Sequence, residues 1–241
     1  MIELRLLGTI DLQGGPLPDA AALLSRTSPT ALLAYLATAS PATFLRRDGL
    51  ATLFWPETPQ AQARANLRKL VHAIRAQLGP ACIESRGDEE LRISPAAVWC
   101  DVAEFQGALR SDLLERAMVL YLGAFMPGFH LDGSSQFSKW LDSLRRQLAR
   151  DAGKAALRLA EQHLRAAQQT QASDLAQFIA RIGTDLDDEF LFRKLLDLLV
   201  RLGDHATALK MYDAFSARMH VEFGGAPAPQ TRELIASIRS R

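Results

Sequence analysis

Residues 58–79 read TPQAQARANLRKLVHAIRAQLG. Leu67, Leu70, Val71, Ile74 and Leu78 recur at helical spacing and form one apolar stripe. Gln62, Ala65, Lys69 and His72 fall farthest from that stripe on a helical wheel, and Arg64, Arg68 and Arg75 flank them. Thr58 is placed to cap this helix, Pro59 suits its first position, and Gly79-Pro80 ends it. A helix that docks by one side and shows cations on the other is suited to a nucleic-acid groove. An ordinary surface helix has the same two faces, so the neighbouring segments decide between the readings.

Upstream, residues 29–39 (PTALLAYLATA) predict a first helix, with Ser28 as its cap, Pro29 in its first turn and Pro41 as its stop. Leu32, Leu33, Tyr35 and Leu36 are its candidate core residues. Residues 47–54 predict a short second helix, ended by Pro56. Downstream, residues 83–85 and 91–93 read as a hairpin around Arg86-Gly87-Asp88. Before all of these, residues 3–8 and 10–12 form short apolar runs, followed by turn residues Gly14, Gly15, Pro16 and Pro18. They suggest a small antiparallel sheet. Three helices followed by a β-hairpin is the order of a winged helix-turn-helix.

After Pro95 strand signals vanish and Ala/Leu-rich helices take over. Helices are expected at 101–109, 113–120, 136–167 (one or two), 174–182, 189–202, 205–219 and 231–238. Gly183, Gly203 and Gly224-Gly225 punctuate them. Leu195, Leu199, Gly203, Ala208 and Tyr212 carry the offsets of one tetratricopeptide unit, with Tyr212 and Phe215 filling the space towards the next helix. Helix pairs of this kind stack and present a concave surface to a partner. The fold class is therefore mainly α with a small β component: a winged helix-turn-helix domain plus a tetratricopeptide-like all-α domain.

The 241 residues suffice for two small domains, and 48% apolar composition supplies their cores. Net charge is only +1, so no global field draws the protein to nucleic acid or membrane. Charge is local instead: between Arg46 and Arg75 six cations face two carboxylates. Cys82 and Cys100 have neither zinc spacing nor a disulfide framework and read as single buried thiols. The N-terminus lacks a signal peptide, and no run approaches a membrane span, which implies a cytoplasmic protein without a membrane partner.

No catalytic constellation is present, and no cofactor or metal is implied. Asp185, Asp187, Asp188 and Glu189 sit at a helix start, where carboxylates suit the dipole and cap free amides. His72, His130, His163, His205 and His220 lack metal spacing, and His205 takes a packing slot of the tetratricopeptide unit. Gly14-Gly15 is followed by Pro, not by a Lys-Ser pair, so it is no phosphate loop. Ser134-Ser135 lacks a nucleophile-elbow frame, and Trp55, Trp99 and Trp140 read as core or domain-junction residues.

Several segments, taken in order, resemble a known family. ALLAYLA at 31–37, RRDGLATLFWP at 46–56 and ARANLRKLVHAIRAQLG at 63–79 look like the DNA-binding half of the Streptomyces antibiotic regulatory proteins, an OmpR-type winged helix. CDVAEFQGAL at 100–109, YLGAFMPG at 121–128 and GDHATALKMYDAFSARMHVEFG at 203–224 look like the bacterial transcriptional activator domain that follows it. The resemblance divides the chain into a DNA-binding domain at 1–97 and an activator domain at 98–241. It implies a transcription activator that binds direct repeats of double-stranded DNA, often as a homodimer, and engages RNA polymerase.

On this resemblance residues 58–78 are the recognition helix. Lys69 and His72 face the major groove, with Gln62 among the DNA-binding residues; Arg64, Arg68 and Arg75 reach phosphates or guanines; Arg46 and Arg47, with Arg26, hold the DNA backbone. For Arg46 and Arg47 a solvated helix start is the alternative, and for His72 an uncharged surface position. About five phosphate contacts would give a salt slope of about −4 to −5, so useful affinity calls for two copies on adjacent half-sites. One feature departs from the family. The hairpin tip SRGDEEL at 85–91 is acidic where a wing beside phosphate should be neutral or basic. Either the wing tilts away, with only Arg86 or Arg92 in contact, or binding is weak. The competing reading is a protein-interaction scaffold or sensor whose winged helix has lost DNA binding.

Overall fold

A computed structural model describes residues 1–14, 20–39, 43–182 and 188–239. Gly15, Pro16, Pro18, Pro41, Gly183, Asp185 and Asp187, given roles above, lie outside these residues. The chain divides into two compact units, Met1–Arg145 and Arg146–Arg241.

In chain order the first unit holds β1 (Ile2–Arg5), β2 (Asp11–Gln13), α1 (Ala20–Leu24), α2 (Thr27–Thr38), β3 (Leu45–Arg46), α3 (Arg47–Phe54) and α4 (Gln60–Leu78). A 3-10 turn at Pro80–Cys82, β4 (Ile83–Arg86), β5 (Glu90–Ile93), β6 (Val98–Cys100), α5 (Asp101–Arg110), α6 (Leu114–Leu120) and the start of α7 (Ser135–Arg165) complete it. The β1–β2 pair is antiparallel, and β4–β5 is the hairpin read from the sequence. The expected end of strand structure at Pro95 is corrected by β6, which pairs parallel with β1 through Ile2↔Val98 and Leu4↔Cys100. Three residues are too few to show a period of two, and the partner strand stands far away in sequence, at the start of the chain. The short β3, which pairs antiparallel with β5, was hidden for the same reason.

Asp101 fastens this sheet. Its carboxylate is 5% exposed and accepts the backbone N–H groups of Leu6, Leu7 and Val102 at 2.8–3.0 Å. Gly8 follows at φ +85°, and a Cβ there would lie 3.0 Å from the Leu122 carbonyl carbon, so the strand passes a loop that only glycine admits.

Two expected caps are also corrected. Helix α2 starts after Arg26 and α4 after Pro59, with no side-chain hydrogen bond at either cap. Thr58 belongs instead to the turn leaving α3, where its N–H donates to the Trp55 carbonyl at 3.2 Å, and Pro59 takes the cap position. Both α2 and α4 are seated by burial instead. Residues 29–34, Leu36 and Ala37 of α2 are buried, as is the whole predicted stripe of α4. An aromatic group of Tyr35, Phe54, Phe125, Phe137 and Trp140 joins α2 and α3 to the start of α7, with centroids 4.7–6.4 Å apart.

The second unit holds the rest of α7, a single helix, then α8 (Gln169–Ile182), α9 (Glu189–Arg201), α10 (His205–Phe223) and α11 (Pro229–Arg239). The tetratricopeptide offsets do what their spacing implies. Leu195, Leu199 and Ala208 are buried between α9 and α10, and Gly203 makes the turn at φ +82°. Tyr212 reaches the next helix, 5.8 Å beneath the Arg239 guanidinium, whereas Phe215, expected to point the same way, stacks back on Phe192 of α9 at 4.2 Å. Asp188 and Asp204 cap α9 and α10 by accepting the Leu191 and Thr207 N–H groups, both at 3.1 Å. Asp188 thus has the structural role read from the acidic cluster. Among the described residues no helix is long and apolar enough to cross a membrane.

Candidate nucleic-acid interface

Helix α4 carries the site because its two faces have different neighbours. Ala63, Leu67, Leu70, Val71, Ile74 and Leu78 are buried, with Ile74 fully so, and the helix packs on α2 and α3. On the other face Gln62, Arg68, Lys69 and His72 are exposed. Gln62 donates to Asn66 Oδ1 at 3.1 Å. Arg68, Lys69 and His72 have neither hydrogen bond nor ion pair among the described residues. They form an outward row of two charges and an imidazole on one rigid element.

The flanking arginines are placed differently. Arg64 forks onto Asp48 of α3: its Nε donates to one carboxylate oxygen and its Nη2 to the other at 2.7 Å. The same Nη2 reaches Glu89 of the hairpin at 3.3 Å. Hydrogen bonding from Arg64 holds the Asp48 carboxyl down at about 2, and the pairing pushes the Arg64 pKa up. Arg64 therefore braces α4 against α3 and the hairpin. Arg75 donates from Nε and Nη2 to the Ile83 carbonyl at 3.1 and 2.7 Å, and from Nη2 to Ser85 Oγ at 2.9 Å. Arg47, the first residue of α3, donates from Nη2 to the same Ser85 Oγ at 3.1 Å. Burial lowers the Arg47 pKa, and nearby Arg75 lowers it further. Arg46 and Arg26 are exposed.

The acidic hairpin is neutralised in part by its own register, which leaves Asp88 and Glu89 at the tip outside the cross-strand pairs. Glu84 and Arg92 are cross-strand partners paired at 2.6 Å, and Ser94 adds a hydrogen bond to Glu84 at 2.6 Å. Arg86 and Glu90 form the next pair. Both guanidinium groups also lie over the Phe44 ring, at 4.6 and 4.4 Å from its centroid. So Arg86 and Arg92, the alternative contacts of a wing that tilts away, each hold a carboxylate. A signal for this was present in the sequence: Glu84 and Arg92, and likewise Arg86 and Glu90, are symmetric about the turn. Ser85 carried no such signal, since its role depends on two arginines from different helices.

A family profile described as the bacterial transcriptional activator domain matches residues 101–239. The chain belongs to that family. The match spans more than half of this activator-domain protein and bears out the resemblance of its C-terminal segments. Among solved structures it resembles Mycobacterium tuberculosis EmbR in complex with a low affinity phosphopeptide, with a TM-score of 0.65 and 19% identity. The likeness covers 99% of this chain but only 65% of that one, and it bears on the fold alone. A comparison with the curated proteins gives no match. The activator-domain protein carries a winged helix ahead of its helical domain.

Proposed function

We propose that the protein is a DNA-binding transcriptional activator that lays α4 in the major groove of double-stranded DNA. Residues 1–97 serve as the DNA-binding domain and 98–241 as the activator domain. The observation that carries this reading is the outward row Arg68, Lys69 and His72, exposed and without a carboxylate, on a helix whose other face is buried. Lys69, His72 and Gln62 face base edges, and Arg68, Arg47 and Arg75 take phosphates. Arg64 acts as the brace that fixes the helix. Three phosphate contacts correspond to a salt slope of about −3, so one copy binds weakly and two copies on direct repeats bind usefully. The helical half contributes the dimer contact and meets RNA polymerase.

Gel-shift selection from random DNA, repeated at several salt concentrations, tests activity and half-site spacing together. Arg68→Ala and Lys69→Ala should each weaken binding by about tenfold. Unchanged affinity in both variants would reject this helix face. The rival reading is a protein-interaction scaffold. It is favoured by the ion-paired hairpin, and by exposed Leu113, Val119 and Leu122 in and beside α6. Absence of any selected sequence, together with a salt-independent protein partner, would support it.

A further inference from the structure

Ser85 on β4 receives two guanidinium groups, Arg75 Nη2 at 2.9 Å and Arg47 Nη2 at 3.1 Å, from two different helices. A hydroxyl has two acceptor lone pairs and one hydrogen to donate. Both lone pairs are taken by cations, and its hydrogen has no acceptor among the described residues. An O–H directed away from two guanidinium groups has an anion as its natural partner.

The neighbouring arginines sharpen the contrast. Arg64, Arg86 and Arg92 each hold a carboxylate, whereas among the described residues Arg47 and Arg75 hold only a hydroxyl and a backbone carbonyl. Among the described residues Arg47 also keeps a buried Nε without a partner. Two like charges brought to one oxygen repel each other, and burial of Arg47 strengthens that repulsion. Asp88 is the carboxylate near enough to act on Arg47, through charge alone, and it lies at the exposed hairpin tip. Arg75 is meanwhile fixed by its two bonds to Ile83, so the arrangement is set before any ligand arrives.

We infer that Arg47, Arg75 and Ser85 form a clamp for one tetrahedral oxyanion of the phosphate class. Resting on the DNA-binding reading above, the occupant is a backbone phosphate beside the groove that α4 enters. Ser85 donates to one oxygen, and the two guanidinium groups turn their remaining N–H groups to the others. Ser85 is thereby a binding residue, and the hairpin contributes to DNA contact through this hydroxyl despite its paired arginines.

The decisive variant is Ser85→Asp, which places a carboxylate between the two arginines. It should fill the clamp, raising the thermal midpoint by a few degrees and weakening binding of a labelled DNA duplex by at least about tenfold. Ser85→Ala should weaken binding by about threefold without raising the midpoint. Inorganic phosphate, titrated without DNA, should stabilise wild type and leave Ser85→Asp unmoved. If Ser85→Asp binds DNA as wild type does while Arg68→Ala weakens it, the clamp is overturned and the DNA reading stands. If wild type ignores DNA yet is stabilised by phosphate through Ser85, the clamp stands and the DNA reading falls. No response to either ligand overturns both.

Discussion

Helix α4 and the β4–β5 hairpin meet through Arg64 and Arg75, yet they treat their cations in opposite ways. On the hairpin each arginine has a carboxylate at hydrogen-bond distance: Arg86 has Glu90 and Arg92 has Glu84. On α4 only Arg64 does, while Arg68 and Lys69 stand open and Arg75 leans on a carbonyl and a hydroxyl. An exposed ion pair is worth only about 0–1 kcal/mol, so pairing does little for stability. Its effect on binding is larger, because a paired arginine brings its carboxylate to the phosphate as well and the two nearly cancel. The difference shows why counting charges along a segment misjudges a surface. Both hairpin arginines are cancelled by pairing while Asp88 stays open at the tip, and the helix is cationic where it faces outward.

The largest effect should come from unseating the helix altogether. Ile74 is fully buried on the face that docks, so Ile74→Ala should cost about 3 kcal/mol, read from the first unfolding transition in urea. Next comes the contrast itself. Arg68→Ala with Lys69→Ala should weaken DNA binding by more than about tenfold and flatten the salt slope by about 1, with little change in urea stability. Arg86→Ala with Arg92→Ala should keep affinity within about threefold. Equal losses in the two double variants would erase the distinction between open and paired cations.

What could be read from the sequence follows the range of each interaction. The stripe of α4, the limits of α3 and the hairpin depend on periods and turn residues within a few positions, and all were legible. The tetratricopeptide offsets were legible for the same reason, since Leu195, Leu199 and Ala208 meet across one turn. Interactions over longer separations were not. Asp101 holds Leu6 from 95 residues away, and β6 pairs with β1 across a similar interval. Within the site, the exposure of Arg68, Lys69 and His72 followed from the wheel, but the commitment of Arg64 to Asp48, 16 residues upstream, did not. A helical wheel assigns a direction to a side chain and says nothing of which carboxylate waits there.

Asp48 tests that last point with the smallest expected effects. Asp48→Asn removes the carboxylate that forks with Arg64 and leaves its shape, so Arg64 is freed for phosphate apart from its longer contact to Glu89. DNA affinity should rise about threefold and the salt slope steepen by up to about 1. The same residue gives a pH signature with a definite sign. The carboxyl titrates at about 2 in the folded protein, below its ordinary value of 3.8, because Arg64 hydrogen-bonds the charged form. A depressed folded-state pKa contributes stability that is complete above the unfolded value and is lost as pH falls through the folded one. Wild type should therefore lose thermal stability between pH 4 and pH 2, and Asp48→Asn should lose less over that interval. Glu84, lowered by hydrogen bonds from Ser94 and Arg92, contributes in the same direction and remains in both proteins. The difference between the two melting profiles isolates the brace, and identical profiles would mean that Arg64 is as free as Arg68.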